Sequence, residues 1–142
     1  MISRFACKQG NVLAKLAASL VLLVGLLCSA YAAQQVSITA KSGEAKECTH
    51  GCGHWRVDAN GKDWPVKIEY LTRPANGTVR TKVFPYPKTL RNGEVKTVRV
   101  SQVIYQSKKG FVGEDSFTYR RFTADPTDPD NGKEYAVAVT VR

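Results

Sequence analysis

Apolar and polar side chains alternate in short runs along residues 33–142, and this alternation restricts the fold more than any other feature. Successive side chains of a β-strand point to opposite faces, so each alternating run predicts a strand with one buried face. Gly, Pro and Asn separate about seven such runs, and almost no helical periodicity occurs between them. The pattern predicts an all-β domain, folded as an antiparallel β-sandwich of about seven strands.

The strongest turn and the clearest strand start lie side by side in residues 110–119, G-F-V-G-E-D-S-F-T-Y. The glycines permit a tight reversal, and the chain leaves it as an alternating run with Phe117 and Tyr119 on one face. We predict that both rings lie in the core of the sandwich. We also predict that this strand pairs with the preceding run, 95–106, and with the final run, 134–142.

Two irregular stretches interrupt the alternation. Residues 85–87, Pro-Tyr-Pro, predict an extended bend after a strand at 78–84, where pairing is possible only at a sheet edge. Within 95–106 the alternation slips between Val100 and Val103, which indicates either a bulge or two strands meeting at a corner. The other predicted strands lie at 35–40, 55–57 and 64–71.

Residues 1–32 have the three parts of a secretory signal peptide. Its basic residues are Arg4, Lys8 and Lys15. An apolar run at 16–27 and a small-x-small cleavage site at 30–32 follow; the run is shorter than the roughly 20 apolar residues that a membrane-spanning helix needs. A Leu before Cys28 argues against lipoprotein processing. We therefore predict a signal-peptide helix cleaved after residue 32, no stable membrane span after cleavage, and a domain at 33–142 exported to the periplasm or the extracellular space.

The chain is basic, with 21 Lys and Arg against 12 Asp and Glu and a formal net charge of +9. Three basic residues precede the predicted cleavage site, so the domain keeps a charge of about +6. Such an excess either keeps an exported domain soluble or attracts it to an anionic surface, namely lipid head groups or acidic polysaccharide. No basic run is interleaved with aromatic residues, so we expect no nucleic-acid binding. The candidate binding residues are Lys108, Lys109, Arg120 and Arg121.

Residues 48–54, C-T-H-G-C-G-H, hold the densest group of reactive side chains. Cys48 and Cys52 are the two cysteines left after cleavage, and an oxidising compartment favours a disulfide that closes a short loop and contributes about 2 kcal/mol. One alternative is a zinc or copper site, although the ligand spacing is tighter than in the usual sites; a pair of free thiols is another. The metal alternative uses Cys48, His50, Cys52 and His54.

Residues 123–132 form an acidic loop whose carboxylate and amide oxygens suit Ca²⁺. Two prolines limit how far it can wrap, and the D-x-D-x-D-G pattern of a dedicated loop is missing, so a solvated turn is the simpler interpretation. The candidate calcium ligands are Asp125, Asp128, Asp130 and Asn131. Trp55 and Trp64 flank another turn, where they either stack on a sugar ring or pack at the rim of the core.

Several motifs follow one another in a fixed order: P-x-N-G-x-V at 74–79, Tyr105, G-F-x-G-x-D-S-F-T-Y at 110–119, and a Val-rich closing strand. This order resembles that of the bacterial immunoglobulin-like and cadherin-like repeats of surface adhesins, over about residues 71–142. The resemblance implies an immunoglobulin-like sandwich without catalytic machinery, here as a lone exported domain.

These observations predict an exported, non-enzymatic immunoglobulin-like module that binds a cell-envelope protein or an anionic polysaccharide. The alternative function is a periplasmic metal-handling protein that uses the cluster at 48–54. We expect neither an enzyme nor a bound cofactor, because the sequence has no paired carboxylates, no catalytic triad and no phosphate-binding loop.

Overall fold

The computed structural model describes residues 32–48 and 50–142, and within these ranges the chain is all-β. Ala33–Arg142 form one compact unit. The predicted signal peptide lies outside the described residues except for Ala32. Residues 32–48 and 50–142 contain no helical segment that could span a bilayer. The strands are β1 (Gln34–Ala40), β2 (Ala45–Glu47), β3 (Gly53–His54), β4 (Arg56–Val57), β5 (Asp63–Trp64), β6 (Val66–Thr72), β7 (Gly77–Thr89), β8 (Val95–Ser107), β9 (Gly113–Thr123) and β10 (Glu134–Val141).

The first sheet has the strand order β1-β10-β9-β6. β1 runs parallel to β10, whereas the other two pairs are antiparallel. β9 and β10 pair from Arg120 opposite Glu134 to Gly113 opposite Val141, which confirms the predicted pairing with the final run. A separate two-stranded sheet joins β4 to β5.

β8 is the centre of the second sheet, with β7 on one side and β2 and β3 on the other. β7 continues through Pro85 and Pro87 to Thr89, so the predicted bend after residue 84 is not observed. The two prolines alternate and therefore place both missing N–H groups on the same side of the strand. β7 pairs with β8 along its whole length, which is possible when that side faces away from β8. The predicted position at a sheet edge is therefore confirmed, whereas the predicted bend is not observed.

β8 is one continuous strand, and it pairs with β7 in an unbroken register. The slip in its alternation therefore marks neither a bulge nor a corner. Residues 100–105 are buried on both faces: Val103 packs in the core, while the side chain of Gln102 donates to the carbonyl of Cys48 at 2.6 Å. A strand covered on both faces loses the alternation that reveals a half-buried one.

Side chains of both sheets form a single hydrophobic core. Phe117 and Tyr119 are 1% and 0% exposed, as predicted. The ring of Phe117 lies parallel to that of Tyr105 in β8, with the centroids 6.2 Å apart, so the two sheets meet at these rings. The other core residues are Val36, Ala40, Cys48, Cys52, Val79, Val103, Tyr135, Val137, Val139 and Val141.

The predicted pairing of β9 with β8 is wrong, because the two strands belong to different sheets. The connection between them, residues 108–112, carries the chain across the core instead of closing a hairpin. Gly110, with φ at 83°, supplies a left-handed conformation in this connection. A reversal that crosses between sheets and one that closes a hairpin use the same turn-forming residues.

Asp115, near the start of β9, ties that end of the strand to the turn before β7. Its carboxylate accepts hydrogen bonds from the amides of Ala75 and Asn76, both at 2.9 Å, and from the hydroxyl of Tyr105 at 3.0 Å. These residues form a corner between the two sheets, and Gly77 belongs to it. A Cβ at Gly77 would lie 2.5 Å from the Tyr105 ring, so no larger residue fits there. The corner thus needs a glycine, a tyrosine and an aspartate that are far apart in the sequence.

Candidate functional site

Cys48 and Cys52 form a disulfide, as predicted, with their Cα atoms 5.3 Å apart. The bond closes a bulge in which residues 48–52 stand opposite the single residue Val103. The amide of Cys48 donates to the Val103 carbonyl and the Val103 amide donates to the Cys52 carbonyl, both at 3.1 Å. The sequence did not predict β2 and β3. Both strands pair antiparallel with the same edge of β8, and the disulfide between them holds them in register.

The bulge packs against the core at its base and faces outwards at its tip. Both cysteines are 0% exposed, whereas His50 and Gly51 are exposed. Gly51 has φ at 84°, and a Cβ there would lie 3.3 Å from a methyl group of Val36, so the tip requires glycine. Because the sulfurs are buried and bonded to each other, they are not thiolate ligands in this state.

His54 lies in the core next to two tyrosines and is 5% exposed. Its Nε2 is 2.8 Å from the hydroxyl of Tyr119, and the edge of its ring approaches Tyr135, with the centroids 4.7 Å apart. Burial lowers the pKa of His54 to about 4, and the positive charge of Arg121 contributes in the same direction. His54 is therefore neutral near pH 7.

The four candidate metal ligands do not come together as a site. The sulfurs are joined, His54 is directed at Tyr119, and His50 lies at the exposed tip of the bulge. Within residues 32–48 and 50–142, no group of three or more His, Cys, Asp or Glu side chains is arranged to hold a metal ion. The oxidised cluster is a structural element of the second sheet.

A pH series tests the buried neutral state of His54. Its pKa is about 4 in the folded chain and about 6.5 in the unfolded chain, so the unfolded state binds more protons between these values. The contribution of this group to stability should be complete above about pH 6.5 and fall by about 3 kcal/mol as the pH drops to about 4. Urea unfolding across this range measures the change. A His54→Gln variant should lose most of this dependence, and an unchanged slope in that variant would contradict the assignment.

The candidate calcium ligands bind protein groups instead of converging. Asp125 accepts from Nε of Arg56 at 2.6 Å and from the amide and hydroxyl of Thr127. Burial opposes ionisation of Asp125, but these hydrogen bonds outweigh it and hold its pKa below the ordinary value. The side-chain oxygen of Asn131 accepts from the amide of Thr123 at 3.1 Å.

The other two acidic residues of this loop pair with cations. Asp128 and Arg121 form an ion pair in which both side chains are buried. Asp130 lies 3.6 Å from Arg121 and 3.2 Å from Lys133. The acidic loop thus closes over one end of β9 through ion pairs, and the described residues show no calcium-binding arrangement there.

The four candidate binding residues do not form one face. Lys108 and Lys109 are exposed in the connection before β9, whereas Arg120 lies seven residues along that strand from Gly113, roughly 24 Å away. Arg120 forms an ion pair with Glu134. Arg121 is 5% exposed and paired with the acidic loop, so its assignment to a binding surface is wrong. Adjacent residues of a strand point to opposite faces, which is why the two arginines separate.

A different basic surface lies on the outer face of the β7–β8 hairpin. In β7, Val79 packs in the core and the hydroxyl of Thr81 lies 2.9 Å from that of Tyr70 in the first sheet, so odd-numbered side chains point inwards. Even-numbered side chains therefore point away from the first sheet. Together with Trp55, four of them form what we call the aromatic–lysine face: Lys82, Phe84, Tyr86 and Lys88.

The rings and ammonium groups of the aromatic–lysine face lie close together. The Lys88 ammonium lies 5.6 Å from the Trp55 ring centroid and 5.4 Å from that of Tyr86, and the Lys82 ammonium lies 5.5 Å from that of Phe84. Tyr86 is 47% exposed. Each such contact at an exposed site is worth about 0.5–1 kcal/mol, which favours lysine positions over the rings. Trp64 is engaged elsewhere, donating to Asp58 at 2.9 Å.

The positive charge of the domain is concentrated on this hairpin. Residues 77–107 contain six Lys and Arg and one acidic residue, Glu94. Arg99 is neutralised by Asp63 at 2.7 Å. For Lys82 and Lys88, the described residues provide no acidic partner within ion-pair distance. The hairpin therefore holds most of the excess of about +6 expected for the domain.

The sequence does carry a signal for this face. Every second residue of 80–88 is basic or aromatic, in the order Arg80, Lys82, Phe84, Tyr86 and Lys88. The signal is hidden because the intervening prolines indicate the end of a strand. The expectation that no basic residues are interleaved with aromatic ones is therefore wrong for this strand. Period-two spacing interleaves them on one face.

The comparisons with known proteins reveal little similarity. No family model matches the chain, and no curated protein matches it. A solved structure, that of a cysteine protease inhibitor from Entamoeba histolytica, matches with a TM-score of 0.38 and 8% sequence identity, over 77% of this chain and 94% of that one. Similarity at this level carries no argument about function. The function proposed below therefore rests on the aromatic–lysine face.

Proposed function

We propose that the chain is an exported, non-enzymatic immunoglobulin-like module that binds an anionic partner of the cell envelope through the aromatic–lysine face. The observation that carries this proposal is the concentration of charge. Six basic residues and one acidic residue lie on the hairpin, and its outer face carries the rings of Phe84 and Tyr86 with that of Trp55 beside them. Solubility alone requires no such clustering, and a surface of one sign attracts partners of the other.

Export is supported by two independent features. The first 32 residues have the composition of a signal peptide, and the domain contains a buried disulfide. Disulfides persist in oxidising compartments and are rare in the cytosol. We therefore place the partner among the molecules of the envelope or the cell exterior.

The immunoglobulin-like assignment is supported by the topology and the corner contacts. Two sheets share one core, β1 runs parallel to the closing strand β10, and β8 passes to β9 across the core. The residues on which the resemblance depends, Gly77, Tyr105 and Asp115, meet at one corner. The non-enzymatic assignment agrees with the roles of the buried polar residues, since His54 and Asp128 bind neighbouring side chains within the fold.

A charge-matched pair of variants tests the proposal. Lys82→Glu with Lys88→Glu should weaken binding to the isolated envelope fraction at least about tenfold, because two attractive charges become repulsive. Lys108→Glu with Lys109→Glu changes the net charge equally at a distant exposed site and should have a much smaller effect. Sedimentation with the envelope fraction measures both. Equal losses in the two variants would mean that net charge alone governs binding and would contradict a defined face.

A further inference from the structure

We propose that the ligand of the aromatic–lysine face is a linear acidic polysaccharide that lies along β7, with its sugar rings on Tyr86 and Trp55 and its acidic groups at Lys82 and Lys88. This inference rests on the proposed function and names the substrate class for the same surface. The argument comes from the shape of the face, the exposure of its rings and the spacing of its charges.

The face is a row rather than a patch. Alternate residues of one strand are roughly 7 Å apart, so Lys82 and Lys88 stand roughly 20 Å from each other with Phe84 and Tyr86 between them. An extended polymer with repeated negative charges can contact both lysines and the rings between them at once. A compact anion can reach only one lysine.

The rings suit sugars because they offer flat apolar surface beside cations. Tyr86 is 47% exposed, and the Lys88 ammonium lies near both Tyr86 and Trp55. One face of a pyranose ring consists largely of C–H groups, which can pack on an aromatic ring while a carboxylate or sulfate on the same sugar reaches the ammonium. The strand positions that carry two of these rings are fixed by pairing, since Phe84 and Tyr86 lie opposite the buried Val100 and Val98 of β8.

A lipid surface fits the face less well. Insertion into a bilayer favours exposed apolar side chains, and the exposed aliphatic ones of the hairpin are Val83 and Val95, 60% and 67% exposed. Both are odd-numbered and paired strands share a face at opposite positions, so they point away from the aromatic–lysine face. Single-stranded nucleic acid also combines stacking with charge, but an exported domain has far less access to it.

Titration of the purified exported protein with defined polymers tests the inference. The probes are polygalacturonate for carboxylates, heparin for sulfates, dextran as a neutral polysaccharide, phosphatidylglycerol vesicles, and single-stranded poly(dT). We expect saturable binding to polygalacturonate or heparin, none to dextran, and weaker binding to the vesicles and to poly(dT). Tyr86→Ala should lower polysaccharide affinity about tenfold, whereas Tyr86→Phe should retain it.

The variants distinguish this inference from the proposed function. If Tyr86→Ala and Tyr86→Phe bind polysaccharide equally well and Lys82→Glu with Lys88→Glu does not, ring stacking is refuted while the face remains the binding surface. Tighter lysine-dependent binding to vesicles or poly(dT) than to either acidic polysaccharide refutes the ligand class. If the protein binds none of the polymers and no envelope material, the proposed function fails as well.

Discussion

Replacing Phe117 with alanine is expected to lower the free energy of unfolding by about 3–5 kcal/mol, because the ring is 1% exposed and lies between the two sheets. Its removal leaves a cavity next to Tyr105, Tyr70 and Tyr119. Urea or thermal unfolding of the purified domain measures the change. Phe122→Ala is the matched control on the same strand, since Phe122 is only partly buried and lies on the opposite face.

The control should lose clearly less stability than Phe117→Ala. Equal losses, or a loss below about 1 kcal/mol for Phe117→Ala, would show that this ring does not lie between the sheets.

Replacing Asp128 with alanine is expected to cost about 3–5 kcal/mol, because it leaves the buried guanidinium of Arg121 without its closest counter-charge. Asp130 cannot substitute fully, since it is half exposed and 3.6 Å away. Equilibrium unfolding at neutral pH measures the loss. Asp130→Ala is the matched control within the same loop and should cost much less.

A double variant separates the ion pair from the space that it fills. Arg121→Met with Asp128→Leu removes both charges while filling the space with apolar side chains. The free energy of unfolding of this double variant should be much closer to that of the parent protein than that of Asp128→Ala. If the double variant is as unstable as Asp128→Ala, an unpaired charge is not the cause of the loss.

The alternation of apolar and polar residues predicts strands and buried faces well, but not which strands are neighbours. It located Phe117 and Tyr119 in the core and the pairing of β9 with β10. It failed for β8, which follows β7 as a hairpin partner but does not pair with β9. Alternation records only which face is buried, and strand order depends on contacts between distant residues, such as Asp115 with the turn at Ala75 and Asn76.

At the candidate site, an interaction was predictable from the sequence when its two residues lie close together along the chain. The disulfide between Cys48 and Cys52 spans four positions and needed only an oxidising compartment. Arg121 is buried because the acidic loop returns to the end of β9 and covers it. The residues next to Arg121 in the sequence do not reveal this burial. The aromatic–lysine face was missed for another reason, because Pro85 and Pro87 predicted a bend that ends the strand at residue 84, whereas β7 continues to Thr89.

The most direct test of the account is to map where an acidic polysaccharide binds, by following backbone amide resonances of the isotope-labelled protein during titration with polygalacturonate. The account predicts that the resonances that shift belong to the region around Trp55 and to residues 82–88 and 96–100, while those of residues 108–112 and of the acidic loop stay in place. Shifts centred on the connection at 108–112, or spread evenly over all basic residues, would contradict it.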